Sequence, residues 1–136
     1  MSLLTPTVSK MLRANALMSA QHPRFDPYPL ARLFNPRGTG TWLATELHED
    51  ADTLFGIADL GFGCPELACF SLWRIQSIHL PRGTRIERDR AFQTRHRLST
   101  WIEASCLLGS IDAAQTYLRA IENRDRDALR TGSLLR

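Results

Sequence analysis

A chain of 136 residues has the length of one ordinary domain and can bury one sizeable core, hardly two. Its hydrophobic share of 43%, with three Trp and six Phe, excludes global disorder, and no apolar run approaches the roughly 20 residues of a membrane span. The formal net charge of +3, almost all of it arginine with Lys10 the single lysine, is too small by itself to define a nucleic-acid binder.

In chain order, Thr5-Pro6 predicts a helix start, with Thr5 as N-cap and Pro6 at the first helical position. Val8, Met11 and Leu12 give that helix a short apolar face to about Leu17. Pro23, Pro27 and Pro29 then stop it and force an extended connection, beneath which Tyr28 is expected to pack. Residues 30–34 read as the first strand, ended by Asn35-Pro36. Arg37-Gly38-Thr39-Gly40 reads as a hairpin turn; it lacks the lysine and the following helix of a phosphate-cradling loop. Residues 42–47 and 54–60 form the clearest strand pair, joined by an acidic turn over 48–52.

Strict alternation sets Leu43 and Leu47 on one face and Trp42, Ala44, Glu46 and His48 on the other. If Leu47 pairs with Leu54, Trp42 and Asp59 become neighbours on one face. Residues 61–65 turn the chain into a strand over 66–73, although Ser71-Leu72 can equally open a short helical turn through Arg74-Ile75. Residues 78–80 and 85–87 are expected as short edge segments.

After Arg97 the helical period takes over. Thr100 and Glu103 have the spacing of a capping box, and Gly109 supplies a left-handed helix end. Ser110 can cap the next helix, on which Ile111, Ala114, Leu118 and Ile121 form an apolar stripe. The charged stretch 123–130 is expected to carry that helix into solvent, and the last six residues to fray. The expected fold is α+β: a small, mainly antiparallel sheet with an N-terminal helix and a C-terminal helical hairpin. A compact core is expected over 1–97, and a helical extension over 98–136 that packs on the core or binds a partner.

Chemistry is sparse. Cys64, Cys69 and Cys106 lack metal-ligand or redox spacing and read as buried or incidental thiols. Glu46, Asp59 and Glu66 are weak candidates for an acid–base or metal-assisted site if adjacent strands bring them together, and His48 stands near Glu46. The four histidines show no ligand motif, and Ser71 and Ser99 lack a strained nucleophile turn. No cofactor or metal site is expected.

The stronger signal is electrostatic. Arg82, Arg85, Arg88, Arg90, Arg95 and Arg97 are opposed only by Glu87 and Asp89, so they predict a patch for phosphate or an acidic protein. Phe92 offers a stacking platform for a base. The first residues hold no sustained apolar segment before a cleavage site, so no secretory signal is expected and the cytoplasm is the expected compartment.

Leu3-Leu4-Thr5-Pro6, Leu33-Phe34-Asn35-Pro36, Thr41-Trp42-Leu43-Ala44-Thr45-Glu46 and Leu54-Phe55-Gly56 occur in this order, followed by Asp59-Leu60-Gly61, Pro65-Glu66-Leu67 and Ser71-Leu72. Leu80-Pro81-Arg82-Gly83 and Ile86-Glu87-Arg88-Asp89 complete the series. The ordered combination resembles the bacterial family known as domain of unknown function 2958, over roughly the first 90 to 100 residues. The resemblance implies a bacterial protein often carried on plasmids or conjugative elements, and it transfers no reaction or catalytic residue. Ala68 stands where that family usually has glycine and Trp73 where it commonly has an acid, which weakens an acidic site through Glu66. The leading expectation is a non-enzymatic accessory or interaction module of a mobile element, with a bacterial protein as partner. Direct DNA or RNA binding and a metal-assisted enzyme are the alternatives.

Overall fold

The computed structural model describes residues 2–131, and its first helix, α1 (Pro6–Gln21), follows from the chemistry of Thr5 and Pro6. The Thr5 hydroxyl accepts from the Val8 amide at 3.2 Å, and proline at the first position forfeits no hydrogen bond there. The prolines at 23, 27 and 29 then deliver an extended segment to β1 (Ala31–Phe34). Tyr28 is exposed rather than tucked beneath the connection, and the Arg97 guanidinium lies 4.8 Å over its ring.

The strands β1, β2 (Thr41–Leu47), β3 (Thr53–Asp59) and β4 (Glu66–Ser71) form an antiparallel meander, and β5 (Glu87–Arg88) adds to the far side of β1. The spatial order is β4-β3-β2-β1-β5. Every residue of the central β2 is buried, because helices cover both faces. On one face, Leu12 of α1 meets Trp42, Ala44, Leu47 and Leu54, together with Leu72 and Ile75 of the short α2 (Leu72–Gln76). On the other, Leu43 and Ile57 meet Trp101 and Ala104 of α3 (Leu98–Leu108) and Ile111, Ala114 and Leu118 of α4 (Ile111–Thr131). Residues 98–118 thus share a core with the sheet.

A β-bulge corrects the expected faces. Leu47 does pair with Leu54, but the register slips between Ala44 and Glu46. One extra residue on β2 shifts everything beyond it, so Asp59 opposes Thr41 and Trp42 opposes Ala58. Leu47 consequently joins the cluster of Trp42 and Ala44, while Leu43 belongs to the opposite one. Side chains of α1 take up carbonyls near the bulge: Asn15 donates to Thr45 O and Arg13 to Leu47 O, both at 2.9 Å. Gly56 faces the same irregularity, where a Cβ would lie 1.8 Å from Leu43 O.

Three further expectations change. The strand after residue 65 ends at Ser71, whose hydroxyl accepts from Arg74 N and starts α2, the helical alternative in the sequence. Residues 78–80 form no strand, because Ile78 and Leu80 pack against the first cluster instead. Helix α3 begins at Leu98 without using a Thr100–Glu103 capping box; Asp26 accepts from the Ser99 amide and hydroxyl across the connection. Gly109 does end α3 at φ 85°, and Ser110 accepts from Ala113 N at the start of α4. The three cysteines are free and exposed rather than buried. The fraying expected of the last six residues lies, beyond Thr131, outside the described residues. Among the described residues no helix is long and apolar enough to cross a membrane.

Candidate functional site

The N-terminal segment and β5 build a groove between them. Gln76 of α2 accepts from the Leu3 amide at 2.8 Å, and Arg88 donates from Nε to Leu3 O at 2.9 Å. These bonds strap residues 2–5 beside β5, and the space left is a cavity of about 730 Å³. Its walls include Ser2, Thr5, Arg85, Glu87, Arg88 and Arg90. Arg85 is steadied by a bond from Nη1 to Gln76 O at 3.1 Å, while Arg90 is exposed. Three guanidinium groups against one carboxylate give the groove a positive potential, and the first turn of α1 adds no acid.

The other arginines of the predicted patch go elsewhere. Arg82 is exposed on a one-turn 3₁₀ segment (Pro81–Gly83) at φ 62°, in the left-handed region. Arg95 lines a separate cavity of about 290 Å³ with His96, Glu122, Asp125, Arg126 and Leu129. Arg97 donates to Asp26 O at 2.8 Å besides stacking on Tyr28. Phe92 is buried, its ring centroid 5.9 Å from that of Trp101, so it offers no face for a base. The single patch expected from spacing is therefore a groove of Arg85, Arg88 and Arg90 plus three dispersed cations.

The carboxylates do not converge. Asp59 is buried, and its carboxylate accepts from Gly61 N at 3.0 Å and from Ile111 N at 2.9 Å, closing its own turn and capping α4. Glu66 is exposed and opposes Ala58 across the β3–β4 pairing. Asp59 therefore points to the opposite face, because adjacent residues of a strand alternate. Glu46 lies five residues along β2 from the partner of Asp59, roughly 16 Å away at strand rise. It lines a surface cavity of about 420 Å³ with Arg13, Ser19 and His48. Burial pushes its carboxyl above the usual range, partly offset by the Ser19 hydroxyl and by His48. Glu46 and His48 are thus brought together, without Asp59 or Glu66. Among the described residues no group of three or more His, Cys, Asp or Glu is arranged to hold a metal ion.

Sequence reasoning missed Arg32. Its guanidinium bridges Asp112 at 2.9 Å and Asp89 at 3.5 Å, and Cζ lies 4.9 Å over the Phe34 ring. It ties the start of α4 to the segment after β5. A charge inside the apolar string Leu30-Ala31-Arg32-Leu33-Phe34 was the available signal, since a cation there needs a partner. Ser2, Leu3 and Thr5 were missed as groove residues because they lie some 80 positions from the arginines they face.

Neither the curated proteins nor the solved structures contain a match to this chain. A family model does match residues 3–112, which spans all five strands, α1 to α3 and the first two residues of α4. The chain belongs to the family described as protein of unknown function (DUF2958).

Proposed function

We propose that the chain is a non-enzymatic binding module whose basic groove grips an acidic protein partner. The observation that supports this most is the groove itself: Arg85, Arg88 and Arg90 stand around about 730 Å³ of space, with Arg88 and Arg85 held in place by backbone carbonyls. Planar guanidinium groups suit bidentate carboxylate recognition, and preordering lowers the entropy lost on binding. The dispersal of Glu46, Asp59 and Glu66 weighs against a shared carboxylate site. The family resemblance implies a bacterial accessory factor of a plasmid or conjugative element, and the cytoplasm is the compartment expected from the sequence of the first residues.

The test is capture of partners by the tagged chain from its native background, with and without nuclease. A specific protein retained after nuclease, and lost on Arg85→Glu with Arg90→Glu, is the expected result. Retention by the doubly reversed variant would remove the groove from the interaction. The burial of Phe92 disfavours a stacked single strand, so phosphate contact alone remains for nucleic acid. That reading predicts nuclease-sensitive recovery with steep salt dependence.

A further inference from the structure

The sheet has two ends of different character. At one, β5 is two residues long and contains Arg88, the short charged edge that natural sheets use to discourage pairing. At the other, β4 is six residues long, and nothing among the described residues pairs with its outer side. It carries no lysine, proline or bulge from Glu66 to Ser71. Leu67 is 48% exposed on it, and Cys69 is exposed as well.

The two most exposed aromatic side chains of the described residues bracket this strand. Phe62, 85% exposed, precedes β4 in the 62–65 turn, and Trp73, 68% exposed, follows it on the first turn of α2. We infer that the free edge of β4 pairs antiparallel with β4 of a second copy of this chain, about a twofold axis through Ala68 or Cys69.

Pairing rules narrow the occupant and the register. In an antiparallel ladder, directly opposed residues either both bond to each other or both do not. Two copies of one edge therefore meet with the axis through a residue, not between residues. An axis through Ala68 sets Leu67 opposite Cys69 and Glu66 opposite Phe70 of the second copy, and one through Cys69 sets Leu67 opposite Ser71. Either way the end of β4 that leads into Trp73 meets the start of the other β4, which follows the 62–65 turn, so the two aromatic brackets are brought to the same ends of the pair. Such a self-complementary arrangement of apolar groups at opposite ends of one strand is what an isologous contact requires. Charge agrees: Glu66 near one end of β4 and Arg74 beyond the other are brought onto facing segments. The dimer joins two five-stranded sheets into one of ten and leaves the basic groove, at the β5 end, open on each copy.

Sedimentation of the full chain over a range of concentrations tests the inference together with iodide quenching of tryptophan. Trp42 and Trp101 are 7% and 2% exposed, so quenching reports on Trp73. A dimer is expected, with quenching that falls as the dimer fraction rises. Leu67→Lys and Trp73→Ala should each weaken the dimer at least about tenfold, as loss of an interface anchor does. Circular dichroism verifies that both variants fold. Leu17→Lys, on the exposed side of α1, should leave the dimer intact. A chain that stays monomeric throughout would overturn the inference, whatever other strand the edge accepts. So would a dimer in which Trp73 stays fully quenchable, or one that Leu17→Lys dissolves and Leu67→Lys spares.

Discussion

Glu46 and Asp50 are carboxylates four positions apart whose surroundings push them in opposite directions. Burial raises the Glu46 pKa, so ionisation in the folded state is disfavoured. Its contribution to stability is complete below the unfolded value and declines as pH rises through the folded one. Glu46→Gln, which keeps an oxygen for the Ser19 hydroxyl, should therefore raise the urea midpoint at pH 7. Below about pH 4, where both states hold the proton, the gain should vanish. An unchanged midpoint at pH 7 would show that Glu46 bears no burial penalty. Asp50 behaves conversely. The Thr53 hydroxyl at 2.6 Å and the amides of Thr53 and Asp52 hold its pKa down to about 2. Its contribution is full above the ordinary carboxylate range and is lost as pH falls toward 2. The sequence marked 48–52 as an acidic turn; which carboxylate would collect the three donors depended on the turn geometry, including Ala51 at φ 59°.

At the scale of elements, the helix starts divide by the origin of their caps. Thr5, Ser71 and Ser110 cap from the adjoining residue, and each was legible as a residue type in the right place. Helix α3 takes its acceptor from Asp26, some 70 positions away, and burial of Leu98 starts the helix three residues before the point a Thr100 cap would set. Helix α4 adds the distant Asp59 to its local Ser110. Asp59→Ala leaves the buried Ile111 amide and the Gly61 amide without that acceptor, and should destabilise the protein by about 2 kcal/mol in denaturant unfolding. A change under about 0.5 kcal/mol would mean that water replaces the carboxylate fully.

For the whole molecule, the decisive fact is that one strand serves two cores. Trp42, Ala44 and Leu47 of β2 face α1 and α2, whereas Leu43 faces α3 and α4. Neither helical layer can leave without exposing that strand. Leu12→Ala on one face and Leu118→Ala on the other should each lower stability by about 2–5 kcal/mol. Both should shift a single cooperative transition. A separate early transition in Leu118→Ala would instead identify residues 98–131 as an independently melting unit.

The sequence by itself determined what depends on near neighbours: the stop at the prolines, the Thr5 and Ser110 caps, the left-handed end at Gly109, and the Leu47–Leu54 hairpin contact. These rest on steric preferences and short-range hydrogen bonds that the chain carries wherever it goes. Only the tertiary structure decided the bulge after Ala44, since one residue of slip reverses faces without altering hydrophobic content. The same holds for the site. Spacing announced an excess of arginine, but the packing of residues 2–5 against β5 gathered three of them into a groove and left the rest apart. Charge is a property of composition, whereas a concave surface that concentrates it exists only after distant segments meet.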